Sequence, residues 1–311
     1  MPKKVALAGA TGSLGSPILS ALISAGFDTT AFKRQGSLSV PGHADVVPVV
    51  EVPSKSPPLE TWTEALRGFD ACVVAFRTRD VDLHLAIAEA AAKAGVKHFI
   101  PADFGSADSS SPRTRELVPL FSRKTQVREK CQELVKEYPG FSWTSLVTGH
   151  FFDWGLENGF MMCDLRLKKA LVIGDGKYRA SASTLHRIAE ATALVLQRTE
   201  MEEVKNKMIY VQSFCVTQLE IVESLEKAMG EKWEITFRDM EEYIAEQKKL
   251  QEEGDHMAIE NLVFVLGTSD ANWEEKGNFA MKALGLEDES LNEIVSGVVK
   301  EVAHSSKKAQ S

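Results

Sequence analysis

The segment Gly9-Ala10-Thr11-Gly12-Ser13-Leu14-Gly15 constrains this chain more than any other stretch. It follows the short apolar run Val5–Ala8, a predicted strand, and opens a helical pattern from Leu14 to Ile23. Between a strand and a helix the three glycines have separate uses. Gly9 permits a tight turn, Gly12 lets a pyrophosphate approach the backbone, and Gly15 lets the helix pack close to the strand. The first helical turn then presents N–H groups without intrahelical partners and a partial positive charge, which together suit a phosphate. Thr11, Ser13 and Leu14 complete the predicted phosphate-binding turn.

The rest of the N-terminal half repeats the strand–helix alternation. Strands are predicted at Thr29–Phe32, Asp45–Val50, Ala71–Phe76, Val96–Ile100 and Trp143–Val147, and helices at Leu83–Ala94 and Phe121–Glu137. Alternation of this kind builds a doubly wound parallel sheet with helices on both faces, an α/β Rossmann-type architecture. The polar stretch Ser106–Pro119 reads as a surface loop, either covering a site or disordered. Beyond Gly149 the pattern loosens, with a helix at Leu185–Leu196, a strand at Met208–Val211, and charged amphipathic helices at 239–253 and 290–303. The division expected is a Rossmann domain over 1–150, with a strand and helix returning around 182–215. A smaller C-terminal α+β substrate-binding domain is expected from 151–181 and 216–311.

The chain has 311 residues, 44% hydrophobic and 26% charged, which is enough to bury a substantial core. Its net charge of −8 and lack of a dense Lys/Arg run argue against nucleic acid or an anionic membrane as partner. Cys72, Cys131, Cys163 and Cys215 lie far apart in apolar surroundings and read as reduced core residues, with no metal-ligand spacing. The opening Met1-Pro2-Lys3-Lys4 carries no apolar signal region, and His304–Ser311 reads as a short polar tail. The expected location is the cytoplasm and the expected partner a small molecule, with the protein a monomer or homodimer.

A dinucleotide-binding chain usually carries an acid at the end of its second strand, where it accepts from the adenosine ribose. Here that strand ends Phe32-Lys33-Arg34, with no acid before Asp45. Two cations in place of a carboxylate suit a 2′-phosphate, so NADP(H) is expected over NAD(H), with Lys33 and Arg34 as its contacts.

One source of proton chemistry on this fold is a Tyr-x-x-x-Lys dyad. Tyr138, Tyr178, Tyr210 and Tyr243 are followed four places on by Ser142, Ala182, Phe214 and Gln247, so the dyad is absent. Lys124 is the better candidate. At about 100° per residue it shares a stripe with Phe121, Val127, Cys131, Leu134 and Val135, where a solvated lysine is not expected. Three readings stand for it: a desolvated general acid or base, a lysine that snorkels or pairs with a buried carboxylate, and a holder of the cofactor ribose.

The glycine segment, the strand–loop Phe99-Ile100-Pro101-Ala102-Asp103-Phe104-Gly105 and the helix Phe121-Ser122-Arg123-Lys124-Thr125-Gln126-Val127-Arg128 resemble the NmrA-like family of atypical short-chain dehydrogenases. Within it the isoflavone reductase-like branch is the most similar. There Pro-Ser-Glu-Phe-Gly precedes Lys-x-x-Val-Arg; here the first motif reads Pro-Ala-Asp-Phe-Gly. The resemblance runs collinearly over about half the chain and implies an NADPH-dependent reductase, with Arg34 on the 2′-phosphate and Lys124 catalytic or contacting a substrate phenol. Ala75, Phe76, Ala102, Asp103, Phe104 and Phe151 fall where cofactor contacts are expected. Phe104, His150, Phe152 and Trp154 are expected to face substrate, with His150 an additional proton donor. Departures at Ala75-Phe76-Arg77 and Thr148–Trp154 prevent the transfer of a particular substrate.

These readings converge on hydride transfer from NADPH to an electrophilic carbon of an aromatic or phenolic metabolite. The alternatives are a non-catalytic NADP(H)-sensing regulator and a redox-neutral isomerase or dehydratase.

Overall fold

The computed structural model describes residues 3–43, 45, 47–52 and 59–308. Seven strands, β1 (Lys4–Ala8), β2 (Asp28–Arg34), β3 (Val49–Val52), β4 (Ala71–Val74), β5 (His98–Ile100), β6 (Ser142–Val147) and β11 (Lys207–Tyr210), form one sheet in the order β11-β6-β5-β4-β1-β2-β3. Every pairing in it is parallel. A parallel sheet is buried on both faces, so its strands read as unbroken apolar runs. In β1, Val5 and Leu7 enter the core shared with α1 (Gly15–Ser24) and α7 (Leu185–Gln197). Ala6 and Ala8 enter the opposite core, with α2 (Leu59–Ala65), α3 (Val81–Lys93) and α5 (Pro119–Glu137). The predicted fold is therefore the one observed, with β11 at one edge of the sheet and α7 packed beside α1.

A third apolar core lies in the C-terminal part. Two small sheets frame it. One runs β12 (Phe214–Val216), β10 (Ala180–Ser183), β7 (His150–Phe151), and the other β13 (Glu234–Arg238), β9 (Lys169–Ile173), β8 (Cys163–Asp164). Around them lie α4 (Pro112–Leu117), α6 (Phe152–Glu157), α8 (Gln218–Met229), α9 (Met240–Glu252), α10 (His256–Ser269) and α12 (Leu291–Lys308), whereas α11 (Met281–Leu284) packs into the core shared by α1 and α7.

Several expectations need correction. Ser106–Pro119 is not a surface loop: Ala107, Asp108 and Ser109 are buried, and α4 occupies its second half. Two of its buried polar side chains are met from other elements, Asp108 accepting from Lys276 at 2.8 Å and Ser109 from Arg128 at 2.7 Å. The third strand begins at Val49, and Val46, inside the predicted span, lies outside the described residues. In the expected tail, His304–Lys308 continue α12, while 309–311 are not among the described residues. All four cysteines are free and buried, and no described helix is long and apolar enough to cross a membrane.

Three imidazoles are buried. His98 lies between Ser142 Oγ at 2.8 Å and Thr144 Oγ1 at 3.0 Å, and burial pushes it down to about 3. Burial takes His84 and His150 down to about 4. Each binds its proton more readily in the unfolded chain, so each contributes stability above its ordinary value near 6.5 and loses it as pH falls toward the folded value. Taking pH from 7 to 5 is expected to cost about 2 kcal/mol per histidine, read as a lower urea midpoint. His98→Asn should remove part of that acid sensitivity.

Candidate active site

The site begins where the chain reverses direction across the sheet. β1 has β2 on one side and β4 on the other, so the crevice beyond their carboxyl ends is the place where this architecture takes a ligand. Gly9 turns there with φ +93°, and its N–H donates to Phe32 O at 3.1 Å. A Cβ on Gly9 would lie 2.9 Å from Ala75 O and 3.2 Å from Phe76 Cβ, so the loops after β1 and β4 meet at this residue. A Cβ on Gly15 would lie 1.9 Å from Gly9 O. Gly12 differs: its Cβ would meet protein atoms no nearer than 3.4 Å. Packing does not demand glycine there, whereas a ligand lying on the backbone would.

Thr11, Gly12 and Ser13 are exposed, and α1 starts after Leu14 with no capping side chain and no acid in its first turn. By contrast α3, α7, α8, α9 and α10 are all capped by Asp or Thr. An uncapped helix start behind an open glycine turn fits a dinucleotide pyrophosphate.

The two cations of β2 have different environments. Lys33 pairs across the sheet with Glu51, its register partner on β3, at 3.1 Å, and donates to Ser37 O at 3.2 Å. Arg34 is exposed and makes no ion pair among the described residues. The strand pleat causes the split, since successive side chains point to opposite faces. Of the two expected phosphate contacts, Arg34 is the cation without an ion-pair partner among the described residues, while Lys33 is engaged by Glu51. Arg34→Gln is expected to weaken NADPH binding about 10–100-fold with little effect on NADH, as a charge-assisted contact of this kind is lost. Titration of both dinucleotides against the variant measures it.

Lys124 projects from α5 and is 9% exposed. Its ammonium lies 3.8 Å from Asp103 Oδ1 and 5.6 Å from the centre of the Phe121 ring, and it makes no hydrogen bond among the described residues. Burial pushes its amine below the ordinary lysine range. Asp103 opposes that shift and Arg128 adds to it. The pairing with a buried carboxylate is therefore present but loose. Asp103 itself is turned inward, its side chain 2% exposed, and it accepts from Arg128 Nη1 and from Ser145 Oγ at 2.5 Å. It lies beneath the site and is not open to cofactor.

Phe104 stands beside it with φ +43° and is buried together with Ala102. Thr78 Oγ1 donates to Ala102 O at 3.1 Å and Arg123 Nε to Thr78 O at 2.8 Å, tying the β4 and β5 loops to α5. Ala75 is buried at the same rim, and half-buried Phe76 lies 4.6 Å from the His84 ring, centre to centre.

His150 is not placed to donate a proton. It is 2% exposed, stacks on Phe264 at 5.3 Å, and donates through Nε2–H to Phe264 O at 3.1 Å. A carbonyl can only accept, so that bond fixes the tautomer and leaves Nδ1 without a proton. With burial holding the imidazole near 4, the ring is neutral at physiological pH. α10 is pressed against it, since a Cβ on Gly267 would lie 2.3 Å from His150 Cε1. Phe152 is fully buried, edge-on to Phe214 at 4.8 Å, and belongs to the C-terminal core. Phe151 is half-buried against the core under α1 and α7. Of the residues expected to face substrate, Trp154 stays partly open, 6.2 Å from Phe160.

Arg128 is the residue that sequence reasoning passed over. It lies one turn beyond Lys124 and is 7% exposed. The signal was available: positions four apart on a helix share a face, so the stripe that buries Lys124 also buries Arg128. Among the described residues no three His, Cys, Asp or Glu side chains gather as a metal site would require.

The parallel sheet, the reversal at β1 and the open glycine turn define a dinucleotide-binding Rossmann protein. The model of the NmrA-like family matches residues 1–293, and the chain belongs to that family. It is 30% identical over 244 residues to oxidoreductase aprR of Aspergillus flavus, covering 78% of this chain and 79% of that one. To pinoresinol reductase 1 of Arabidopsis thaliana it is 25% identical over 279 residues, covering 80% and 81%. A solved structure of AtPrR2 with NADP+ and (+)-pinoresinol superposes with a TM-score of 0.74 at 22% identity, over 96% of this chain and 99% of that one.

Proposed function

We propose that this chain transfers hydride from NADPH to an electrophilic carbon of a small aromatic or phenolic, secondary-metabolite-type substrate, with Lys124 serving the developing anion. That the chain is an NADP(H)-dependent oxidoreductase follows from its family and from relatives that are themselves oxidoreductases and reductases. The glycine turn, the start of α1 and Arg34 would hold the dinucleotide, which supplies the hydride when bound. The part formed by 151–181 and 216–311 would hold the substrate.

The observation that carries the reading is the Lys124 amine: buried on α5, without a hydrogen bond among the described residues, and 3.8 Å from the carboxylate of Asp103 in the loop after β5. A desolvated amine with a lowered proton affinity gives up its proton more readily near neutrality than a surface lysine does. Hydride addition to a carbonyl, or cleavage of a benzylic ether by hydride, leaves negative charge on oxygen. Lys124 would stabilise that charge or protonate it.

The test is label transfer. The protein is incubated with NADPH deuterated at the transferable position and with extracts rich in phenolic metabolites, and the products are analysed by mass spectrometry. Deuterium in a product establishes the reductase and names its substrate. Tight NADPH binding with unlabelled products across many extracts would favour the regulator, and unlabelled but altered products the isomerase or dehydratase.

A further inference from the structure

We infer that Arg128 is a positioning residue for Lys124: by holding the Asp103 carboxylate against Ser145, it keeps that carboxylate from closing on the Lys124 ammonium and leaves the amine free to face substrate. The inference deepens the role given to Lys124 above and rests on that reading.

Two buried cations, Lys124 and Arg128, share one buried carboxylate, and the sharing is unequal. Asp103 Oδ2 accepts from Arg128 Nη1 and from Ser145 Oγ, whereas Oδ1 accepts no hydrogen bond among the described residues. A buried ammonium and carboxylate left to themselves close to about 2.7–2.9 Å. Here the Lys124 contact stays at 3.8 Å although neither Nζ nor Oδ1 has another hydrogen-bond partner among the described residues. The direction of the carboxylate is set from the other side. Arg128 is itself pinned, donating through Nη2 to Ser109 Oγ at 2.7 Å and to Thr125 Oγ1 at 3.1 Å. Thr125 Oγ1 in turn donates to Phe121 O at 3.0 Å.

The groups around Lys124 come from three elements. Asp103 faces it from the loop after β5 and Arg128 from its own helix; His84, on α3, feels its charge. Burial keeps His84 neutral near physiological pH, so it adds no charge there. Arg128 is always charged and neutralises Asp103, which leaves Lys124 as the surplus cation of a buried cluster. Burial and the Arg128 charge lower its proton affinity and Asp103 restrains the drop. Removing either partner therefore moves Lys124 in opposite directions, a behaviour that mere scaffolding would not produce.

The experiment reads Lys124 directly. The protein is labelled at lysine 13Cε, and the Lys124 resonance, identified by its loss in Lys124→Met, is titrated by NMR without and with NADP+. In Arg128→Met the carboxylate keeps its Ser145 hydrogen bond but has Lys124 as its one remaining cation among the described residues, so the titration midpoint should rise by about 1–3 pH units. In Asp103→Asn the Arg128 charge is unbalanced, so the midpoint should fall. Shifts of the same sign, or shifts below about 0.5 unit in both, overturn the inference. Should Arg128→Met not fold, the near-isosteric Asp103→Asn decides alone, and a midpoint that rises or stays put is fatal. Because no turnover is measured, failure here is distinct from failure of the catalytic reading, which shows as retained turnover in Lys124→Met.

Discussion

Lys124→Met is expected to reduce turnover by about 10²–10⁴-fold while leaving NADPH affinity within about twofold of the parent. The size follows from what a positioned proton donor contributes. Hydride delivery creates negative charge, and the buried Lys124 amine is the group this reading gives the task of neutralising it. His150 is unable to take over, because its Nε2 proton is committed to Phe264 O and its ring stays neutral down to about pH 4. Asp103 is turned onto Arg128. Affinity for the dinucleotide should survive because the glycine turn and Arg34 belong to different elements from α5. Methionine matches the length and apolar character of the lysine stem, so the stripe shared with Phe121, Val127 and Cys131 stays packed.

Lys124→Arg separates charge from proton transfer. A guanidinium keeps the charge and does not release its proton near neutrality. Activity close to the parent would assign Lys124 to electrostatic stabilisation alone; activity as low as that of the methionine variant would assign it to proton donation. The pH dependence has a definite sign. A donor must be protonated, and the proton affinity of Lys124 is depressed. The rate of the parent should therefore fall as pH rises through a midpoint below the ordinary lysine value near 10.4. If Lys124→Met retains parental turnover on a substrate that accepts label, the proposed mechanism is wrong even though the enzyme is a reductase.

The Rossmann half was legible because its rules are local. A glycine turn between a strand and a helix, and apolar runs separated by helical stripes, announce themselves within a dozen or so residues. The C-terminal part was not, and α10 shows why. Ala258, Leu262, Phe264, Val265, Leu266, Gly267 and Thr268 are buried, so the polar residues His256, Glu260 and Asn261 are confined to its first half and leave no stripe along the helix. It also carries β-branched residues and a glycine that, by propensity, suggest something other than helix. Gly267 is there for His150, a contact between residues 117 positions apart in the chain that no local pattern reveals. The same limit explains the site. The apolar face of α5 exposed Lys124 as a candidate, yet whether its partner was Asp103, and that Asp103 was already held by Arg128 and Ser145, depended on how β5, β6 and α5 come together. The pleat likewise implied that Lys33 and Arg34 face opposite ways, but only the register with β3 set Glu51 against Lys33.

Two alanine substitutions in the glycine turn are expected to separate its structural use from its binding use. At Gly15 a methyl would lie 1.9 Å from Gly9 O and 2.7 Å from Gly9 C. Gly9 cannot retreat, being bonded through its N–H to Phe32 O and crowded by Ala75. The start of α1 must then lift from the sheet, disturbing the packing of Leu14, Ile18, Leu19 and Leu22. Gly15→Ala should lose about 1–3 kcal/mol of stability, and NADPH affinity should fall at least ~100-fold because the N–H groups aimed at phosphate move with the helix. At Gly12 the methyl would meet Gly9 O at 3.4 Å and Ala75 O at 3.8 Å, ordinary contact distances. Gly12→Ala should therefore melt within about 1 °C of the parent. It should nonetheless bind NADPH at least ~10-fold more weakly, because the methyl stands where the pyrophosphate would lie against bare backbone. Calorimetric titration of NADPH beside a thermal melt distinguishes the two. Loss of affinity with an unchanged melt at Gly12 would mean the turn is kept open for a ligand. Parental affinity there would mean the phosphates lie elsewhere, and that the only glycines the turn requires are the two its own packing demands.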